Sequence, residues 1–339
     1  MKVLIIGGTR FSGRNATELA LERGHDVTLF HRGITGPGLF PQATHVIGDR
    51  DTDLEKLSGG SWDATIDFSA YTPLHVRELA GALGARGGHY TFISSTAAYA
   101  TNASAHGQPA SGATEDAPLA EADRPLPTHF SMSDPAAIAA YGMLKVASER
   151  AAREAFGRGV LIVRPTYIIG PLDYTGRFTY WVKRIARGGE VLAPGPREPT
   201  LQVVDARDVA AFAIDNSERA TDGTFHLTTP QPPARWGDLL DTVAATVAPA
   251  GTRLTWVDRD FLLSRGQNSA TLPLWPSGGP YEDGFALDNS AAVRAGFTPR
   301  PVAESVRDIA EAERGVASTE ADARADRRDA EILAAWRAR

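Results

Sequence analysis

The stretch VLIIGGTRFSGRNATELALERGHDV, residues 3–27, constrains the fold of this 339-residue chain more than any other. A run of branched apolar residues meets a turn with glycines at 7, 8 and 13, and a helix-length amphipathic segment over 14–23 follows. Strand, glycine turn and helix in that order open a βαβ unit, whose parallel strands are buried on both faces. The alternation continues through DVTLFHR, THVIGD, DATIDFS, a helix near 74–85, HYTFISS and GVLIVRP. Strands separated by helix-length segments predict an α/β fold built on a doubly wound parallel sheet.

The turn itself carries chemistry. Gly7 permits the tight bend, Gly13 lets the helix approach the strand, and the helix start offers backbone N–H groups and a positive dipole end to a pyrophosphate. That is the dinucleotide site of a Rossmann domain, and it predicts a nicotinamide cofactor. Arg10 stands where most such turns have their middle glycine. The second strand ends LFHRG, placing His31 and Arg32 where an NAD-specific site carries an acid for the ribose hydroxyls. A guanidinium suits a 2′-phosphate, so two arginines and no acid favour NADP(H) over NAD(H). The third strand ends VIGDRDTD, where Asp49 either accepts a hydrogen bond from the adenine amino group or is an ordinary strand-end turn residue.

Composition removes other classes. The chain has no cysteine, which excludes thiol nucleophiles, zinc thiolates and disulfide frameworks and fits a cytoplasmic protein. No metal site is assigned. The first residues read as a buried strand rather than a signal peptide, and no apolar run approaches the roughly 20 residues that span a bilayer. A net charge of −6, with both signs interspersed, leaves no basic stripe for nucleic acid. The expected partner is a small-molecule substrate, with neither membrane nor nucleic acid involved.

Residues 100–135 break the pattern. They are rich in Ala, Ser, Pro, Gly, Asp and His without a sustained period, and a connection of this length is either a lid over the site or a loose insertion. Beyond 178 come a helix in FTYWVKRIARGG, a strand near 200–205, a helix over 207–215, another over 236–248, and LPLWPSGGPYEDGF. The expected division is a dinucleotide-binding domain over 1–165 and about 200–230, and a substrate-binding lobe over about 166–199 and 231–303. A tail over 304–339, with Ala, Arg, Asp and Glu in near balance, is expected to form an exposed helix with i,i+4 charge pairs.

AAYGMLKVASER places Tyr141 and Lys145 four residues apart, on one face of a helix, so one cofactor and one substrate can meet both side chains. A phenol has an unperturbed pKa near 10. A neighbouring ammonium, with the positive nicotinamide of an oxidised cofactor, favours its phenolate. The glycine turn, GD after the third strand, FISSTAAY, YGMLK and RPTYIIGP in that order resemble the extended and atypical short-chain dehydrogenase/reductases, the NAD-dependent epimerase/dehydratase-like group. GGTRFSG, FHRG and RFTYWVKRIARGGEVLAPG are similar to bacterial isoflavone-reductase-like oxidoreductases, over about residues 1–300. The resemblance implies Tyr141 as general acid/base, Lys145 as its tuner and a ligand of the nicotinamide ribose, and Ser95, four before Tyr99, as the hydroxyl that orients the reacting oxygen. Thr96 is the fallback for that role. The cofactor set is completed by Thr9, Phe11, Arg50, Ser69 and Pro165. A homodimer through the helices flanking the fifth strand is also implied.

The family pattern fails in two places. Thr96 and Ala97 stand where sugar-nucleotide dehydratases carry an Asp-Glu pair, and Tyr167 stands where epimerases commonly carry an asparagine. The long interval from Ser95 to Tyr141 points to a different substrate. Phe178, Tyr180, Trp181, Trp275 and Tyr281 offer surface to a flat or hydrophobic ligand unless they are plain core, and Arg177 offers a cation to a carboxylate or phosphate unless it is merely solvated. These features favour an NADP(H)-dependent carbonyl or enone reductase, or the reverse alcohol dehydrogenase. A sugar-nucleotide epimerase and a non-catalytic cofactor sensor or RNA-binding protein are the alternatives.

Overall fold

The structure, a computed structural model, describes residues 1–99, 111–122, 125–157, 159–229, 232–278 and 286–339. Its strands are β1 (Lys2–Ile6), β2 (Asp26–His31), β3 (Thr44–Ile47), β4 (Ala64–Asp67), β5 (His89–Ile93), β6 (Val160–Pro165), β7 (Tyr167–Ile169), β8 (Glu190–Pro194), β9 (Val203–Asp205), β10 (Gly223–Leu227) and β11 (Arg253–Val257). Its helices are α1 (Phe11–Glu22), α2 (Pro73–Leu83), α3 (Pro135–Ala139), α4 (Tyr141–Phe156), α5 (Arg177–Ala186), α6 (Ala206–Glu218), α7 (Trp236–Val247), α8 (Arg259–Ser264), α9 (Ser290–Arg294), α10 (Val302–Ala312) and α11 (Glu320–Arg337). The chain divides into two units. Unit one is Met1–Ile168, Ala206–Pro230 and Leu287–Pro299; unit two is Ile169–Asp205, Gln231–Ala286 and Arg300–Arg339.

Unit one holds a seven-stranded parallel sheet in the order β10-β6-β5-β4-β1-β2-β3. The strand order reverses at β1, between β4 and β2, which opens a crevice at the carboxyl-terminal edge. Helices cover both faces, so Val3, Leu4, Ile5 and Ile6 are all buried and β1 reads as an unbroken apolar run rather than an alternating one. Leu4, Ile6, Phe30, Tyr90 and Phe92 of the sheet pack with Val76, Leu79 and Leu83 of α2 and Ala151 and Ala152 of α4.

Local chemistry sets the element ends. Gly7 sits at φ +86°, and a Cβ added to Gly13 would lie 2.4 Å from the Gly7 carbonyl oxygen, so both positions require glycine. Arg10 is extended, at φ −137°, a conformation open to any residue, which is why this turn dispenses with its middle glycine. The helix begins at Phe11, earlier than expected from periodicity, and ends in a Schellman motif. There Gly24, at φ +75°, donates to Leu21 O while His25 N donates to Ala20 O. Thr72 caps α2 by accepting from His75 N at 3.3 Å, with Pro73 in the first helical turn.

Three expectations are corrected. Residues 287–299, expected in the smaller lobe, belong to unit one: Asp288 N donates to Ala113 O at 3.0 Å, and Asn289 Nδ2 donates to Thr228 O at 3.1 Å, just beyond β10. The tail is not a solvated helix but part of unit two. Asp329, Ile332 and Leu333 of α11 are buried, and Lys183 on α5 pairs with Asp322 at 3.2 Å. Arg328 donates to Tyr180 Oη at 2.7 Å and to Thr271 O at 2.6 Å. Charges that read as i,i+4 pairs are mostly spent across helices. Third, the described parts of 100–135 are fastened down. Ala120 N donates to Ala98 O at 2.8 Å, and Leu119, Leu126 and Phe130 pack against Ala98, Ala140, Met143, Leu144 and Val146. Residues 100–110 and 123–124 of that segment lie outside the described residues.

The glycine at 13 gives a direct test. Gly13→Ala is expected to lower stability by about 1–3 kcal/mol through overpacking against backbone. Gly59→Ala, where an added Cβ meets nothing within 4 Å, should stay within about 0.5 kcal/mol of the parent. Urea midpoints at unchanged m-value measure both.

Candidate active site

Unit one gathers most of the singled-out residues along the carboxyl-terminal ends of its strands. Gly7, Thr9, Arg10, Phe11 and Gly13 form the β1–α1 turn; Arg32 follows β2, Asp49 and Arg50 follow β3, and Ser69 follows β4. Ser95 and Thr96 follow β5, Pro165 closes β6, and Tyr167 opens β7. Open α/β sheets bind ligands at this edge, beside the strand-order reversal. The amino end of α1 has no side-chain cap and no acid in its first turn, so its N–H groups face no built-in competitor for an anion. Thr9 and Phe11 are buried, whereas Arg10 and Arg32 are exposed. At the end of β2, His31 accepts from Gly33 N on Nδ1 at 3.1 Å and meets His45 Nδ1 through Nε2 at 2.8 Å. Burial, then His45, push the His31 imidazole down from its ordinary pKa, so this strand end carries a neutral ring. Asp49 acts as a turn residue, accepting from Asp51 N at 3.1 Å.

Arg50, expected among the cofactor ligands, is a buried ion-pair partner of Asp67. Its Nη1 and Nη2 each lie 3.1 Å from an oxygen of Asp67, and it also donates to Ser69 Oγ at 2.9 Å and His75 O at 3.1 Å. Asp67 is fully buried and takes three more hydrogen bonds, from Ser69 N and Ala70 N at 2.9 Å and from Tyr90 Oη at 3.1 Å. Burial alone would raise the Asp67 carboxyl, but Arg50 and these donors outweigh it and hold the group below the usual carboxylate range. The sequence carried a signal for this pair, since an acid ending an apolar strand needs a buried cation.

Tyr141 opens α4 and is half-buried; Lys145, one turn on, is almost wholly buried, with 4% exposure. Lys145 Nζ donates to Ala70 O at 2.8 Å and to Ile93 O at 2.9 Å, which ties α4 to the ends of β4 and β5. It also lies 4.8 Å from the centre of the Phe92 ring, 5.1 Å from Tyr71 and 5.8 Å from Tyr141. Burial pushes the Lys145 ammonium down to about 8, with Arg50 adding to the effect and Asp67 and Glu149 opposing it. Ser95, two residues past Ile93, is half-buried and its Oγ accepts from Ala97 N at 3.1 Å. Ser94 is turned inward and donates to Glu149 at 2.5 Å. Glu149 is clamped by Arg164, at 2.9 and 2.6 Å, and Arg164 donates to Tyr99 Oη at 2.7 Å. Tyr99 in turn hydrogen-bonds His226 Nε2, while His226 Nδ1 meets Asp288 O at 2.8 Å.

Two aromatic residues near the pair escaped sequence reasoning. Phe130, from the long segment before α4, stacks on Tyr71 with ring centres 4.6 Å apart and planes 2° apart. Their centres lie 5.6 Å (Phe130) and 6.4 Å (Tyr71) from that of Tyr141. No period in the long segment announces Phe130, and Tyr71 stands in the short loop between β4 and α2. In unit two the expected substrate aromatics are core: Trp181 is 0% and Trp275 2% exposed, and their indole N–H groups are spent on Pro273 O and Gly195 O at 2.6 and 2.9 Å. Phe178 is buried with them; Tyr281 lies outside the described residues. Arg177 is exposed, with Nε 3.2 Å from Thr175 Oγ1. Among the described residues no group of three or more His, Cys, Asp or Glu could hold a metal, and no helix is long and apolar enough to cross a membrane.

An uncapped helix start, a cradle that a Cβ would fill, and a tyrosine–lysine pair along the same sheet edge of a doubly wound fold fit a dinucleotide cofactor. The profile of the NAD dependent epimerase/dehydratase family matches residues 3–223, and the chain belongs to that family. It is 26% identical over 244 residues to the chloroplast stem-loop binding protein of 41 kDa b of Arabidopsis thaliana, covering 67% of this chain but only 58% of that protein. Its fold is similar to those of UDP-glucuronic acid 4-epimerase from Bacillus cereus in complex with NAD (TM-score 0.65, 14% identity) and UDP-glucose 4-epimerase from Thermotoga maritima with UDP-glucose (0.67, 16%). Each match covers 93% of this chain and 99% of the other.

Asp67→Asn leaves the Arg50 charge buried without its counterion and is expected to cost about 3–5 kcal/mol. Because the Asp67 carboxyl is held low in the folded state, the parent keeps this contribution above the unfolded pKa of about 3.9 and loses it as pH falls through the lower folded value. Urea unfolding between neutral and acid pH should therefore show a steeper acid-side decline in the parent than in Asp67→Asn.

Proposed function

We propose that the protein is an NADP(H)-dependent oxidoreductase that interconverts a carbonyl or enone and its reduced form on a small to medium organic substrate. The observation that carries this reading is the Tyr141–Lys145 pair. Lys145 is fixed by the carbonyls of Ala70 and Ile93, two residues short of Ser95, and its charge stands beside the Tyr141 ring. A bound nicotinamide supplies or accepts the hydride. Tyr141 gives its proton to the substrate oxygen in reduction and takes it back in oxidation. Ser95 Oγ, oriented by Ala97 N, hydrogen-bonds the same oxygen as charge develops there. Lys145 favours the phenolate of Tyr141 and reaches the nicotinamide ribose with its remaining donor.

The cofactor preference rests on charge. Arg10 and Arg32 are exposed at the turn and after β2, Arg32 has no ion-pair partner among the described residues, and the end of β2 offers an imidazole where a 2′-hydroxyl reader would be an acid. Thr96 and Ala97 offer no acid pair for dehydration, and Tyr167 stands in place of the epimerases' asparagine. A second reading, sugar-nucleotide epimerisation with no net redox change, is favoured by the likeness of the fold to the UDP-sugar 4-epimerases. It would leave oxidised cofactor bound after dialysis. The stem-loop binding named for the Arabidopsis relative fits a chain of net charge −6 poorly. The implied homodimer gains little support from the exposed face of α2 and α4, which carries Arg77, Glu78, Arg150, Arg153 and Glu154, with Leu74 its one exposed large apolar side chain.

Tyr141→Phe is expected to cut turnover with NADPH and a ketone panel by about 10²–10⁴-fold while cofactor affinity by fluorescence titration stays near the parent. Unchanged turnover would remove Tyr141 from the chemistry. Arg32→Ala should weaken NADPH binding by about tenfold or more and leave NADH nearly unaffected, as expected for loss of a charge-assisted hydrogen bond.

A further inference from the structure

We propose that Phe130 is a positioning residue of the Tyr141–Lys145 pair: stacked on Tyr71, it holds the two phenol rings in place and keeps water from the Lys145 ammonium. The long segment before α4 is thereby part of the active site, for the one ring it contributes. The geometry is a relay of contacts. Phe130 lies parallel to Tyr71 at 4.6 Å, Tyr71 lies 5.1 Å from Lys145 Nζ, and Phe130 also touches the Tyr141 ring edge at 5.6 Å between centres. The backbone of Tyr71 is fixed from below, its N–H donating to His75 Nδ1 at 3.2 Å, while His75 Nε2 meets Asp51 at 3.1 Å. Tyr71 is thus held at its backbone by a hydrogen bond and at its ring by the stacked Phe130, and the second of these comes from the long segment. Leu119 and Leu126 pack with Phe130 against the first turns of α4, so the phenyl is itself held.

Other charges also bear on Lys145. Asp67 of β4 and Glu149 of α4 favour its charged form, Arg50 after β3 opposes it, and Arg164 of β6 neutralises Glu149. Tyr90 of β5 is bound to Asp67, and Tyr141 stands on the same helix; His129, next to Phe130, adds to the lowering of His75 of α2. None of these is altered by replacing Phe130. The remaining contribution is burial, the largest influence on the Lys145 ammonium, which is pushed down to about 8. Removing the phenyl admits water beside Tyr71 and lets that ammonium return toward its ordinary range.

The test uses the full chain without cofactor. The sequence has four lysines, Lys2, Lys56, Lys145 and Lys183, so ¹³C-lysine NMR resolves each titration, and loss of a signal in Lys145→Arg identifies the one that matters. Lys145 should titrate near 8 in the parent and about one unit or more higher in Phe130→Ala, with Phe130→Tyr close to the parent. Phe130→Gln, which keeps side-chain length but brings an amide to Tyr71, is held to the same criterion if the alanine variant does not fold. A Lys145 midpoint that stays at the parent value in a folded Phe130→Ala or Phe130→Gln overturns the proposal. The kinetic consequence, a matching shift in the pH profile of kcat/KM, rests on the oxidoreductase reading. A moved titration without reductase activity would defeat that reading alone, and unmoved titration with full activity would defeat this one alone.

Discussion

The donation of two hydrogen bonds from one buried ammonium to the carbonyls of Ala70 and Ile93 is the contact on which the site depends. It locks the amino-terminal turns of α4 to the ends of two adjacent strands. Tyr141 sits one helical turn away, so the position of its hydroxyl is a consequence of how Lys145 is held. An ammonium in such surroundings would ordinarily lose its proton to burial. Two carbonyl acceptors, three aromatic rings within 6 Å and the field of Asp67 and Glu149 keep the charged form within reach of neutral pH.

Beneath this pair unit one has two buried charged systems. Asp67 and Arg50 join the ends of β4 and β3 across β1 and β2, which lie between them in the sheet, and Glu149 with Arg164 joins α4 to β6. Each is completed by neutral donors and acceptors: Ser69, Ala70 and Tyr90 in the first, Ser94 and Tyr99 in the second. Such pairs add little net stability over apolar packing, but leaving one partner alone is costly, so they favour one arrangement of helices on the sheet over near alternatives. The second system reaches further. Through Tyr99 and His226 it meets Asp288, and Glu115 accepts from His226 N at 2.9 Å, so the long segment and residues 287–299 are fastened to the same network.

The doubly wound sheet was legible because its signals are local: branched runs, a glycine turn and helix-length amphipathic segments each act within a few residues. The roles of Gly7 and Gly13 followed from the turn alone, and the structure supplies the reason that Arg10 is tolerated between them. What was not legible depends on contacts between distant residues. Phe130, in a segment without periodicity, and Tyr71, after β4, are 59 positions apart, and only folding brings their rings together. Arg50 was expected among the cofactor ligands, because nothing in its own strand end reveals that Asp67 ends β4, three strands away in the sheet. Trp181 and Trp275 looked like ligand surface for the opposite reason, since an aromatic residue in a helix or loop reads the same whether its face is open or covered. Charges in α11 had the spacing of a self-paired helix; Glu320 and Arg324 do pair at i,i+4, but Lys183 and Arg184 of α5 claim Asp322, Asp326 and Asp329.

The way the two units share the chain has a further consequence. The polypeptide passes from one to the other five times, after residues 168, 205, 230, 286 and 299. Neither unit is a contiguous piece that a gene fusion could lift out or a protease could release whole. During synthesis the large sheet must wait for β10, and the platform that α5 begins must wait for α11, so both mature late and together.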